Sequence, residues 1–159
     1  TGRTIVREDK SVVLNDDEHV AVSVIYIENS NGEFLIQKTS IEKGGQFSST
    51  GGHVSSGETP LSSIKREVEE EIGINIYEDE VVELGYLLYD KPLRYMFYLK
   101  KDINLRDVKV QKEEVDYVKY MSVDEINRLI EEEQLLKSHG IIFKEVLKYK
   151  EKSNVKIKV

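Results

Sequence analysis

Three glutamates, Glu67, Glu70 and Glu71, stand three and four residues apart in the stretch GGHVSSGETPLSSIKREVEEEIGI, residues 51–74. On a helix, positions i, i+3 and i+4 are neighbours, so these carboxylates share a face. Carboxylates packed that closely repel one another unless a cation sits among them. Hard divalent ions such as Mg²⁺ take oxygen ligands and would relieve the repulsion. A run such as REVEEE is more often a solvated acidic helix face, and the surrounding residues must decide between the two.

Those residues predict the helix itself. Thr59 is suited to the N-cap and Pro60 to the first helical position. Leu61, Ile64, Val68 and Ile72 recur at helical spacing as one apolar stripe, and Gly73 is a helix stop. Glu69 falls away from the other three glutamates, toward solvent.

The spacing extends further. Gly52 is followed by five residues and Glu58, then seven residues and Arg66-Glu67, Val68, any residue, Glu70-Glu71, any residue, Gly73 and Ile74. A match of this kind arises by chance about once in 10⁹ starting positions. Across all 23 positions the chain resembles the Nudix hydrolase family. That resemblance implies an α/β (α+β) fold: a Nudix-type α/β/α sandwich with a mixed sheet and a loop–helix–loop at one end. It implies a hydrolase that cleaves the diphosphate linkage of a nucleoside diphosphate joined to another moiety, by attack of water on phosphorus. The cofactor implied is Mg²⁺, with Mn²⁺ as a substitute.

The resemblance also carries residue roles. Glu70 and Glu71 correspond to metal ligands, and Glu67 to a third ligand or a carboxylate near the water. The backbone carbonyl of Gly52 would add a ligand. Arg66 would orient a glutamate, with Glu58 as its partner, both supporting the metal site. Family members often supply a further carboxylate from a later segment; Glu113 and Glu114 are the candidates, solvated loop charge being the alternative. The metal set is thus Gly52, Glu67, Glu70, Glu71 and Glu114, and the catalytic set Arg66, Glu67, Glu70 and Glu71. The general base lies among Glu67, Glu113 and Glu114.

Outer matches, Thr1-Gly2-Arg3, Leu35 to Lys38 (LIQK) and Thr50 to Val54, resemble the Nudix subgroup related to isopentenyl-diphosphate isomerase. That isomerase uses a catalytic cysteine, and this chain has none, so hydrolysis stays ahead. A non-catalytic nucleotide-sensing module is the other alternative; such proteins usually have a degraded box, whereas here every position is intact.

Composition fits one domain over residues 1–159. With 39% hydrophobic residues and no long apolar run, neither disorder nor a membrane span is suggested. The absence of cysteine excludes thiolate chemistry and disulfides and suits a cytoplasmic enzyme. A net charge of −7 argues against a nucleic-acid polymer as partner and for a small diphosphate brought in with cations. A homodimer is the assembly the family suggests.

The positioning elements follow from pattern. Val20–Ile27 reads as a buried central strand, with Glu33–Gln37 returning after an Asn-Ser-Asn-Gly turn. Lys38–Ser49 reads as a loop and Thr50–Val54 as a short strand. Glu80–Tyr89 and Leu93–Leu99 form a further antiparallel pair, and Val115–Met121 a strand. Asp102–Lys112 is polar and irregular. Ser122 and Glu125 announce a helix from Val123 to Glu133, Ser138–Lys150 a second, and Asn154–Val159 a small strand or tail.

Other residues stay open. His53 lies near the box, while His19 and His139 have no ligand-spaced partner. Tyr86, Tyr89, Tyr95, Phe97 and Tyr98 read mostly as core. Arg7, Lys38, Lys43 and Arg94 are the cations that could face phosphate, with nothing in the sequence to choose among them.

Overall fold

The computed structural model describes residues 3–5 and 18–157. In chain order its strands are β1 (Arg3–Ile5), β2 (Glu18–Glu28), β3 (Phe34–Thr39), β4 (Phe47–Ser48) and β5 (Thr50–His53). Helix α1 (Pro60–Ile72) follows, then β6 (Val82–Leu88), β7 (Leu93–Lys100) and β8 (Val115–Met121). Two helices, α2 (Val123–Glu131) and α3 (Lys137–Ile157), complete the order.

The long strand β2 is the axis of a mixed sheet. It runs parallel to β7 from Ala21 opposite Leu93 to Glu28 opposite Lys100. Its other edge pairs antiparallel with β5, Ser23 facing Gly52 and Val24 facing Gly51. Beyond that pairing β3 takes over, carrying β4 and β8, while β6 flanks β7. The turn from β2 to β3 uses Gly32 at φ 78°, a left-handed angle that costs glycine little.

Alternation along β2 separates two cores. Ile25 and Ile27 face α1, with Ile64, Val68 and Ile72 of its apolar stripe. Val24 and Tyr26 face the other way, against Ile126 of α2 and Ile142, Phe143 and Val146 of α3. The result is a mixed sheet between helices, an α+β fold. Ile64, Val68 and Ile72 have no solvent exposure. Each such burial contributes about 1.5–3 kcal/mol, enough to seat α1 although its outer face carries like charges.

Several boundaries differ from the sequence pattern. Residues 154–157 continue α3 rather than forming a strand, because no turn residue interrupts the helix. The expected loop 38–49 contains β4, and α2 ends at Glu131, with Glu133 at a left-handed φ of 56° closing the turn. Tyr86 is 65% exposed on the edge strand, while Phe97 and Tyr98 are core. Buried Glu28 accepts from Tyr98 Oη and from Lys150 Nζ at 2.5 Å, a clip holding α3 to the sheet. Among the described residues no helix is long and apolar enough to cross a membrane. Thr1, Gly2, Arg7, Lys158 and Val159 lie outside the described residues, as do the side chains of Arg3 and His19.

Candidate active site

Helix α1 begins as its sequence requires. Thr59 Oγ1 accepts from the Ser62 N–H and Ser62 Oγ from the Thr59 N–H, both at 3.0 Å. Its far end is closed by Gly73 at φ 70° and by the irregular segment after β7. The Lys109 N–H donates to the Ile72 carbonyl and the Gln111 N–H to the Glu71 carbonyl, each at 2.9 Å. Two carbonyls that the helix leaves without partners are thereby satisfied. The same docking brings Glu114 to the acidic face.

That face borders a recess of about 510 Å³ lined by Gly51, Gly52, Glu67, Glu70, Glu71 and Glu114, with Lys43, His53, Ser55, Arg66 and Gln111. Glu113 is not among its walls; it lines a neighbouring cavity with Ser40, Ile41 and Lys112. Of the two acidic candidates before β8, the fold therefore brings Glu114 to the box glutamates and turns Glu113 away. Glu69 is exposed, as its place on the helix implies.

Strand β5 is closely packed at two consecutive glycines, against the backbone of β2 at Gly51 and against a side chain of α1 at Gly52. A Cβ on Gly52 would lie 2.4 Å from Glu67 Cδ, and one on Gly51 would lie 2.4 Å from the Ser23 carbonyl oxygen. The first is relieved only if the Glu67 side chain moves, the second only if backbone does.

Arg66 organises the carboxylates. Its Nε donates to Glu58 Oε2 at 2.7 Å and its Nη2 to Glu58 Oε1 at 3.0 Å, a bidentate pair. Its Nη1 bridges Glu67 Oε1 at 2.8 Å and Glu70 Oε2 at 3.0 Å, and Nη2 also reaches the His53 carbonyl. Hydrogen bonding from Arg66 holds the Glu58 carboxyl below the usual range. Glu67 is pushed upward, chiefly by burial, against the opposing pull of Arg66.

Glu71 is 8% exposed. Burial pushes its carboxyl up to about 8, helped by the charges of Glu67 and Glu114 and opposed by hydrogen bonds from Gln37 and Gly51. Gln37 Nε2 donates to Glu71 Oε1 at 3.1 Å, and Thr50 Oγ1 donates to Gln37 Oε1 at 3.0 Å. The sequence offered Gln37 only as part of the LIQK resemblance, with no role. Its signal is a polar residue at a position of β3 whose neighbours Leu35 and Ile36 are core.

Among the described residues no three carboxyl or imidazole groups converge closely enough to chelate an ion as they stand. Arg66 Nη1 occupies the space between Glu67 and Glu70. The donor set nevertheless fits a hard cation: it is all oxygen, and the charges of Glu67 and Glu114 beside its most buried member, Glu71, work against that carboxylate's ionised form. The chain has no cysteine to favour a softer metal, and among the described histidines His53 alone lines the recess.

The NUDIX domain model matches residues 17–143. The chain belongs to the Nudix family. An uncharacterised Nudix hydrolase of Listeria monocytogenes, lmo0368, is 30% identical over 133 residues, covering 81% of this chain and 77% of that protein. DR0079 from Deinococcus radiodurans superposes with a TM-score of 0.63 at 20% identity, over 79% of each chain. A bifunctional NMN adenylyltransferase/ADP ribose pyrophosphatase from Francisella tularensis superposes with a TM-score of 0.66 at 17% identity, over 82% of this chain and 41% of that one. Nudix enzymes act on nucleoside diphosphate derivatives, and this Nudix chain is a pyrophosphohydrolase of that kind.

Proposed function

We propose that this Nudix enzyme is a Mg²⁺-dependent hydrolase, Mn²⁺ substituting, that cleaves the diphosphate linkage of a small nucleoside diphosphate derivative. One observation carries the reading: Glu67, Glu70, Glu71 and Glu114 line a single recess beside the glycine pair Gly51-Gly52. Gly52, Glu67, Glu70, Glu71 and Glu114 are the groups that would hold the ion. Bound there, it would offset the diphosphate charge and lower the pKa of water.

The chain's own residues supply the rest. Arg66, held by Glu58 from the outer side, orients Glu67 and Glu70. Gln37 orients Glu71. Glu67, the wall of the recess nearest the Gly52 position, is the residue assigned to take the proton from the attacking water. Gly52, without a side chain, leaves that carboxylate room. The reading includes a cytoplasmic location, no nucleic-acid or membrane partner, and a homodimer as the assembly to look for by light scattering.

The test is a phosphate-release screen over nucleoside diphosphate sugars, dinucleoside polyphosphates and oxidised nucleotides with Mg²⁺, run beside Glu71→Gln. Activity on one class that disappears in the variant is the expected result. Equal activity in both proteins would sink the assignment of the metal face.

A further inference from the structure

Four carboxyl groups line the recess, Glu67, Glu70, Glu71 and Glu114, and two lysine or arginine side chains, Lys43 and Arg66. A diphosphate entering this recess meets more negative than positive charge, so the state of each cation matters. All three side-chain nitrogens of Arg66 are engaged, with Glu58, Glu67, Glu70, Ser55 and the His53 carbonyl. Redirecting it would leave those carboxylates without their partner.

Lys43 is differently placed. Its Nζ lies 3.4 Å from Glu114 Oε1, and both side chains are 42% exposed. That distance is well beyond the 2.7–2.9 Å or so of a strong charge-assisted bond, and exposed pairs of this kind contribute little. The backbone that carries Lys43 is, by contrast, well anchored to the site. Ser40 donates from N–H to the Glu114 carbonyl and from Oγ to the Glu113 carbonyl, both at 3.0 Å. The Lys43 N–H then closes back on the Ser40 carbonyl at 2.9 Å. Gly44 and Gly45, at φ 111° and 62°, turn the chain away immediately afterwards.

Of the other cations considered in the sequence, Arg7 lies outside the described residues, and Lys38 and Arg94 are committed elsewhere. Lys38 Nζ sits 4.3 Å from the centre of the Phe47 ring, and Arg94 donates to the Tyr89 and Pro92 carbonyls near the β6–β7 turn. Neither lines the recess.

We infer that Lys43 is the phosphate-binding cation of this enzyme, held in waiting by Glu114 and exchanged to the incoming diphosphate when Glu114 turns to a divalent cation. The inference rests on the function proposed above and names how the site takes its substrate. The exchange costs little because the pair is long and exposed, and it matches both freed charges with new partners. It also sets two effects of opposite sign. Removing the lysine charge weakens anion binding, but frees Glu114 and removes a repulsive charge near the metal.

The experiment is calorimetric titration of the wild type, Lys43→Met, Lys43→Arg and Glu71→Gln, first with Mg²⁺ alone and then with inorganic pyrophosphate at saturating Mg²⁺. Lys43→Met is expected to bind pyrophosphate roughly tenfold or more weakly, with Mg²⁺ affinity unchanged or raised. Lys43→Arg should retain pyrophosphate binding. Steady-state assays on any substrate found should show the Lys43→Met loss mainly in KM. Pyrophosphate bound equally by wild type and Lys43→Met, with Mg²⁺ binding lost in Glu71→Gln, would overturn the role of Lys43 and leave the metal site standing. Mg²⁺ bound by none of the proteins would overturn the proposed function, and this inference with it.

Discussion

The side-chain amide of Gln37 on β3 donates to Glu71 Oε1 on α1 across 3.1 Å, while its carbonyl oxygen accepts from Thr50 Oγ1 at 3.0 Å. Three segments far apart in sequence thus fix one carboxylate. Gln37 is 5% exposed, so its hydrogen bonds are made without competition from bulk water. Gln37→Leu should leave Glu71 less well oriented and Thr50 without its acceptor. A loss of roughly 10–100-fold in metal affinity or turnover is expected, by analogy with other partners of metal ligands. Metal titration of Gln37→Leu checks this; wild-type affinity would show that Gln37 is only packing.

Glu71→Gln tests the carboxylate itself. An amide can still accept from Gln37 and Gly51, so the fold should persist with an unchanged circular dichroism spectrum. Turnover should fall on the order of 10³-fold, equivalent to about 4 kcal/mol of lost transition-state stabilisation. Mg²⁺ should raise the melting temperature of the wild type but not of the variant, since only a protein that binds the ion is stabilised by linkage.

The two glycines of β5 predict contrasting failures. Alanine at position 51 would press a methyl group into backbone, the Ser23 carbonyl oxygen at 2.4 Å. Gly51→Ala should therefore destabilise the domain by about 1–3 kcal/mol, read in urea denaturation. Alanine at position 52 meets instead the end of the Glu67 side chain. Gly52→Ala should keep most of its stability while losing activity, because Glu67 and its bond to Arg66 must move. Reversed outcomes would mean that the strand and helix approach each other differently.

His139 gives a pH signature. Its Nδ1 accepts the Ser49 N–H at 3.0 Å, and burial first, then the charge of Arg94, hold the imidazole down at about 4. The folded protein therefore resists protonation that the unfolded chain accepts near pH 6.5. Stability linked to His139 is complete above about pH 6.5 and is lost as pH falls toward 4, by at most about 3 kcal/mol. Glu71 works in the opposite direction: its raised carboxyl favours the fold at low pH and loses that advantage as pH rises through about 8. Comparing wild type with His139→Asn, which keeps an acceptor for Ser49, isolates the imidazole. The wild type should lose relative stability on acidification; parallel melting curves between pH 7 and 4.5 would contradict this.

The helix of the box was legible because every signal in it agreed: cap, proline, stripe and stop lie within residues 59–73. The strands were legible where β-branched residues run together, as in β2 and β7. Contacts between distant segments were not. Nothing in the sequence says that residues 109–111 hydrogen-bond the end of α1, which is what separates Glu114 from Glu113. Gln37 was hidden for the same reason, since its partner is 34 residues away. Alternation in the tail suggested a strand, but no breaker stands between Lys150 and Ile157, so α3 runs on.

The acidic helix carries its own counter-charge. Because Arg66 already spans Glu58, Glu67 and Glu70, a newly made chain can settle these side chains before any ion arrives. A zinc finger, by contrast, stays unfolded until its metal is supplied. In a cell short of divalent cations, such a protein would fall silent without falling apart. It would be protected from proteolysis by its intact core and would recover as soon as supply returned, with no new synthesis required.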